Sequence, residues 1–455
     1  MTTATPPHPT SARTLPPGHA GAQPARSRWA TTVRRRLGSP VTEYYVLLAV
    51  ASILVVFGLV MVLSASSITS VQTDGSSYAV FLRQVLYATI GAIGCAVAAQ
   101  VSPAWWKRLS FAALIAAIGL QLLVFVPSIG YAVKGNRNWL RVGGLTIQPS
   151  EIAKIALVLV GAMLLSNKRK LLGRYRHAIF PYVIPIAAIT VGLVLWGKDL
   201  GTGLVLFGIV AAVLFVGGVP GRLFGMAGVV MGLAVVVMVQ MSENRLNRIA
   251  NWLSPTCTTD PDGPCYQSVH GMFALADGGW WGVGLGSSKE KWAWLPEANN
   301  DFILAIIGEE LGLPGTLVVL ALFAAFAWVC YRVIERSTDQ FVRIATGGVM
   351  AWIVVQAMIN IGAVIGAFPV VGVPLPLVSA GGSSMVTTLA AVGMVLSFAR
   401  RLPGAEPLLT GRRRPVRQLL SGSVHSVFSV IPALPGKAVR AARAGRSRRT
   451  SRRIR

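Results

Sequence analysis

Apolar runs near the ~20 residues that a helix needs to cross a bilayer recur along the chain at about 45–66, 79–101, 111–130, 151–167, 178–196, 200–217, 223–241, 303–331, 343–367 and 384–399. They predict an all-α integral membrane protein with ten transmembrane helices, and an even number puts both termini on one side. The polar segments between the runs fall into two unlike sets. LysArg at 107–108, the NKRKLLGRYRH run at 167–177, Arg222 and the Arg332/Arg336 pair lie in alternate connections, together with both tails. The positive-inside rule makes that side cytoplasmic. The outward connections are then 67–78, 131–150, 197–199, 242–302 and 368–383, and these carry most of the Trp, Asn, Gln, Asp and Glu from the middle of the chain. Three regions follow: a basic tail 1–42, a membrane domain 43–400 with its long extracellular loop 242–302, and a second basic tail 401–455.

Composition agrees, with 53% hydrophobic and 13% charged residues against about a quarter charged in soluble domains. The net charge of +26 is concentrated at the ends: residues 1–42 carry six Arg and no acid, and residues 400–455 carry fifteen Lys/Arg against Glu406 alone. Such tails suit anionic lipid headgroups. Neither interleaves aromatics with its arginines as a nucleic-acid platform does, so nucleic acid is not an expected partner. No apolar core precedes Tyr44, which argues against a cleavable signal peptide. Cys95 and Cys330 fall in apolar runs as inert core residues. Cys257 and Cys265 bracket the turn SPTCTTDPDGPCY, where a disulfide and two free thiols are both compatible with the sequence.

Four stretches can carry chemistry. In GNRNWLRVGGLTIQPSEIAKIALVLV (135–160) a loop turns into a helix at Pro149, and Glu151 and Lys154 share a face at i, i+3. The pair either neutralises a helix start or marks a polar pathway, as charges inside spans commonly do. In WGKDLGTGLVL (196–206) Asp199 caps the following helix or binds a cation, and spacing favours the cap. The long loop ends in SSKEKWAWLPEANNDFILAIIGEELGLPG. It holds Trp280, Trp281, Trp292 and Trp294, which suit an interfacial belt, then Lys289 and Lys291, which suit phosphate or solvent, then Glu297 and Asp301. Asp301 stands where the wet loop meets an apolar helix, a place where a carboxylate faces water, a cavity or a ligand. Glu309 and Glu310 precede the GLPG break as helix-bend or salt-bridge residues. In PVVGVPLPLVSAGGSSMVTTLA (369–390) Pro374 and Pro376 forbid a regular helix, and Ser383 and Ser384 open the last run as an anion site or a re-entrant turn.

Taken together, GNRNWLRVGGLTIQPSEIAK, KDLGTG, the block from GMFALADGGWWGVGLG through LPEANNDFILAIIGEELG, and PLPLVSAGGSS resemble the SEDS family of cell-wall polymerases over residues 45–400. The resemblance implies a ten-helix protein of the plasma membrane. It would polymerise peptidoglycan glycan strands from lipid II on the outer face, beside a class B penicillin-binding protein. It implies Asp301 as the essential carboxylate and Glu151 with Lys154 as the cavity pair; Arg137, Arg141, Lys289, Glu297 and Ser383 are further candidates for sugar or diphosphate. Asn299 stands where the family commonly has His, and Lys198 where it often has Pro. SAGG, GEELG and the basic tails resemble division-type members from high-GC Gram-positive bacteria, which implies work at the septum with other division proteins; the elongation-type polymerase is the alternative.

In the implied reaction a GlcNAc 4-hydroxyl attacks the anomeric carbon of lipid-linked MurNAc and undecaprenyl diphosphate leaves. Asp301 would act as general base, worth about 10²–10⁴ in rate, or would hold a divalent cation, Mg²⁺ or Mn²⁺, against the diphosphate. No organic cofactor is expected. A lipid II flippase could use the same charged cavity, but needs access from both faces, whereas here the polar residues collect on one. A structural scaffold would leave Asp301 and the Glu–Lys pair without a role.

Overall fold

The computed structural model describes residues 39, 41–133, 136–142, 145–168, 179–240, 243–254, 265–292 and 294–410. The chain divides into a compact unit, Met1–Leu409, and a second unit, Thr410–Arg455, of which the described residues include only Thr410.

The fold is mostly helical. Among the described residues, eight helices are long and apolar enough to cross a membrane: α1 (Thr42–Asp74), α2 (Ala79–Ala98), α3 (Pro103–Leu123), α4 (Pro149–Asn167), α6 (Leu200–Gly217), α10 (Ile303–Arg336), α11 (Gln340–Val364) and α12 (Gly382–Ala399). Where two further spans are expected, the chain forms shorter apolar helices, Tyr182–Trp196 and Ala227–Val237. The first is π-helical over Ile179–Ala187, with Pro185 inside, and continues as α5 (Ala188–Trp196). Proline removes one rung of the i→i−4 ladder, and a wider turn accommodates the loss. The second lies within α7 (Arg222–Gln240).

Several boundaries differ from the sequence expectation for identifiable reasons. The third run starts earlier, at Pro103, because Ser102 accepts from the Trp105 amide and proline suits the first turn. It stops at Leu123, since Gly130–Val133 is strand β1. That strand pairs antiparallel with β2 (Asn136–Val142), which pairs antiparallel with β3 (Leu145–Ile147). The connection is therefore a small sheet, an exception to the all-α expectation. The long connection 242–302 likewise contains α8 (Glu243–Leu253) and α9 (Tyr266–Gly278).

α4 is the central helix: 78% of its apolar window is buried, and it packs against α3, α6 and α11. α12 runs along α2, and α10 along α1, α9 and α11. At one end of the bundle Glu43, 1% exposed, accepts from Arg332 at 3.1 Å and Arg336 at 3.0 Å, tying α1 to α10. The polar motifs meet at the opposite end.

Candidate functional site

Pro149 opens α4, and the following turn buries Glu151 and Lys154 at 2% and 1% exposure. Lys154 Nζ lies 2.7 Å from Glu151 Oε1 and donates to Gln356 Oε1 at 3.0 Å. It also sits 5.2 Å from the centre of the Trp352 ring, a favourable place for a desolvated cation. Thr387 donates to the other carboxylate oxygen at 3.2 Å. Each charge therefore has its partner and further polar or aromatic contacts, the condition under which burial is tolerated.

Asp199 caps α6, accepting from the Thr202 amide at 2.9 Å and its hydroxyl at 2.8 Å. It also accepts from the Gln148 side chain at 2.9 Å, while the Gln148 amide donates to Ser383 Oγ at 3.3 Å. The first turn of α12 is thus fastened to the entry of α4. Just before Asp199, Lys198 has φ 62. A pyrrolidine ring holds φ near −65°, so this backbone excludes the proline that the SEDS motif often carries there.

Asp301, half-buried, ends the LPEANND loop two residues before α10 begins. Glu297 in that loop takes a left-handed φ of 58, an uncommon conformation for a side-chain-bearing residue that concentrates at functional sites. The loop is held by its neighbours: Asn360 Nδ2 donates to the Asp301 carbonyl at 2.7 Å, Ser379 Oγ to the Asn300 carbonyl at 2.6 Å, and the Ala380 amide to the Asn299 carbonyl at 2.9 Å. A methyl built on Gly372, whose φ is +76, would stand 3.5 Å from Asp301 Oδ2, so bare main chain borders the carboxylate. A cleft of about 210 Å³ on the same loop is lined by Glu297, Asn299, Asn300, Arg83, Gln84 and Tyr87, among others.

The segment 371–375 is where these motifs converge. Gly201 of the KDLGTG motif lies against Val371 and Val373, where a Cβ would come within 2.6 Å of the Val373 side chain. Asn360 donates to the Val373 carbonyl at 2.8 Å and Gln356 to the Pro374 carbonyl at 2.9 Å. Sequence reading missed Gln356 and Asn360. The signal was two amides four residues apart inside an apolar span, QAMIN.

Other candidates lie apart from this convergence. Arg137 Nε donates to the Val124 carbonyl at 3.1 Å, anchoring the sheet to the end of α3. Arg141 is exposed and stacks over Tyr131 at 4.9 Å. The Lys289 side chain is 79% exposed, 3.7 Å from Asp277, and its amide donates to Glu309 at 2.6 Å. Lys291, read as a phosphate or solvent residue, is instead buried: its Nζ lies 3.1 Å from Glu310, which also accepts from Ser64 at 2.6 and 2.8 Å. Glu309 and Glu310 are thus salt-bridge and loop-anchoring residues beside a real break, with Gly312 at φ 66, ψ −160 and Pro314 following. The break frees carbonyls of Glu309 and Glu310, which accept instead from the amides of Val283 at 2.9 Å and Gly284 at 3.0 Å. Trp280, Trp281, Trp292 and Trp294 are 56–86% exposed, as a belt requires. Cys265 is disulfide-bonded and Cys95 and Cys330 are free and buried; Cys257 lies outside the described residues.

His270 on α9 shares a 2.7 Å hydrogen bond with Glu290. Burial pushes the Glu290 carboxyl above its ordinary range, and the His270 contact partly offsets this. Among the described residues, no group of three or more His, Cys, Asp or Glu side chains could hold a metal ion. A cation beside Asp301 would therefore need donors beyond such a cluster, water among them, as Mg²⁺ accepts.

The cell cycle protein family model for FtsW, RodA and SpoVE matches residues 44–403. The chain is 40% identical over 400 residues to a probable peptidoglycan glycosyltransferase FtsW of Mycobacterium tuberculosis, covering 87% of this chain and 75% of the relative. It is 34% identical over 354 residues to the stage V sporulation protein E of Bacillus subtilis, covering 78% and 96%. Among solved structures, a chain of a peptidoglycan synthase complex described as coordinating polymerization and crosslinking superposes with TM-score 0.63 at 24% identity, covering 78% of this chain and 96% of that one. The rod shape determining protein RodA of Thermus thermophilus does so with TM-score 0.58 at 22% identity, covering 78% and 95%.

Proposed function

The chain belongs to the FtsW/RodA/SpoVE family of cell cycle proteins, and from that membership we propose that it is a peptidoglycan glycosyltransferase that polymerises lipid II at the division septum. The observation that carries this reading is that Asp301, the Gln356 bonded to Lys154, and Gly201 of the Asp199 motif all meet segment 371–375 at one end of the bundle.

In this reading the ten apolar segments all span, both termini are cytoplasmic and the converging end faces outward. Asp301 removes the proton from the attacking GlcNAc hydroxyl as its oxygen bonds to the MurNAc anomeric carbon and undecaprenyl diphosphate departs. In its alternative role Asp301 would hold a divalent cation, whose chemistry is to neutralise charge on the diphosphate. Glu151 and Lys154 orient the headgroup from the buried side. Glu297 and Ser383 border the approach, and Arg137, Arg141 and Lys289 are peripheral contacts for sugar or diphosphate. A class B penicillin-binding protein is the partner that crosslinks the product, with other division proteins bringing both to the septum.

The test is polymerisation of lipid II by the protein reconstituted with that partner, comparing wild type with Asp301→Asn. Long glycan from wild type and a loss of about 10²-fold or more in the folded variant are expected. Equal polymerisation would remove Asp301 from the chemistry; no polymerisation by wild type, with lipid II crossing vesicle membranes, would make the protein a flippase.

A further inference from the structure

The Glu151–Lys154 pair sits on α4 and Asp301 on an irregular loop before α10, so nothing local to either motif fixes one relative to the other. The connection runs through α11. Gln356 and Asn360, one helical turn apart and therefore on one face, are 0% and 2% exposed. Gln356 Oε1 accepts from Lys154 Nζ at 3.0 Å and from Trp352 Nε1 at 2.9 Å, while its Nε2 donates to the Pro374 carbonyl at 2.9 Å. Asn360 Nδ2 divides its hydrogens between the Val373 carbonyl at 2.8 Å and the Asp301 carbonyl at 2.7 Å. A path of hydrogen bonds and one peptide unit thus leads from Glu151 through Lys154, Gln356, Pro374, Val373 and Asn360 to Asp301. Buried amides in an apolar span are costly unless satisfied; here both donor ends grip consecutive carbonyls of the segment bordering the Asp301 carboxylate, while Asn360 Oδ1 has no hydrogen-bond partner among the described residues.

We infer that Gln356 and Asn360 are paired positioning residues: Asn360 sets where Asp301 stands, and Gln356 sets where Lys154 stands, both against the shared Val373–Pro374 main chain. The kinetic consequence rests on the polymerase reading, in which Asp301 acts on the reacting atoms and Lys154 on the bound headgroup. The two amides then have separable effects. Asn360→Asp, nearly isosteric, turns an oxygen toward two carbonyl oxygens. It should lower kcat about tenfold or more, in line with what small misplacements of a catalytic group cost, with KM for lipid II within about twofold. Gln356→Met removes the acceptor of Lys154 and should raise KM several-fold with a smaller change in kcat; Gln356→Glu, which still accepts from Lys154 but turns an oxygen toward the Pro374 carbonyl, should recover only part of the KM change.

The measurement is kcat and KM for lipid II polymerisation by the reconstituted complex. It is accompanied by hydrogen exchange of peptides covering 297–303 and 371–377 in the same samples. Asn360→Asp should raise exchange in both peptides; Asn360→Ser, which keeps one donor, serves if the aspartate variant does not fold. The inference is overturned if wild type polymerises and both substitutions change kcat and KM in the same proportion or not at all, or if exchange in the two peptides is unmoved. A wild type that does not polymerise would defeat the polymerase reading alone, because exchange still decides whether Asn360 holds the two segments together.

Discussion

Two buried Lys–Glu pairs stand at the same end of this bundle, with similar chemistry and different connections. Lys154–Glu151, at 2.7 Å, joins two positions of one helix and passes through Gln356 toward Asp301. Lys291–Glu310, at 3.1 Å, joins a loop to α10, and its further partners, Ser64 on α1 and the Gly286 carbonyl, tie down that loop. Both are 4% exposed or less. Burial alone therefore does not tell the two pairs apart; what else each pair touches does.

The largest expected effect breaks that comparison or establishes it. Replacing both members of a pair removes the uncompensated buried charge that makes single replacements costly. The double variant Glu151→Gln/Lys154→Met should thus fold with a melting temperature near wild type, yet polymerise about 10²-fold more slowly. The matching variant Lys291→Met/Glu310→Gln should fold and keep polymerisation within about tenfold. Equal loss in both would place the second pair in the site. Next, the single change Glu310→Ala leaves the Lys291 charge buried without its carboxylate and should cost about 3–5 kcal/mol, read as a fall in melting temperature and yield. Gly282→Ala adds a methyl that overlaps the Glu310 carbonyl, and should cost about 1–3 kcal/mol by dislodging the same loop without touching either charge.

A smaller effect follows from Glu290, whose carboxyl burial raises above the usual 4.5. A raised acid contributes stability below its unfolded pKa and loses it as pH rises through the folded value. The melting temperature of Glu290→Gln, compared with wild type, should therefore improve as pH rises above the usual carboxylate range; a flat difference would show that the His270 contact cancels the burial. The smallest effect is at Lys289, 79% exposed: Lys289→Ala should change stability by less than about 0.5 kcal/mol and leave polymerisation within about twofold, and a larger loss would make Lys289 more than a peripheral contact.

The sequence carried the local half of this picture. Glu151 and Lys154 are three residues apart, Pro149 sits in the first turn, and Asp199 precedes a helix start, so their partners could be read from spacing. The sheet at 130–147 was not legible because its register is set by pairing across three short strands, and Arg137 is used within it to bind the end of α3. Lys291 looked like a solvent residue because its partner lies nineteen positions later, on a helix. Gln356 and Asn360 were hidden by their surroundings: apart from Trp352 one turn before Gln356, their partners lie on other segments, and nothing in the apolar run announces them.

The break in α10 joins pieces that sequence order keeps apart. Because the Val283 and Gly284 amides occupy carbonyls of Glu309 and Glu310, the tryptophan-bearing loop and the half-helix Ile303–Leu311 are fastened side by side. Trp280 and Trp281, 74% and 86% exposed, are handles on that joined piece, and Asp301 is two residues from its leading edge. A lateral force of lipid or protein on those rings has a short mechanical route to the carboxylate, with no need to travel through the bundle.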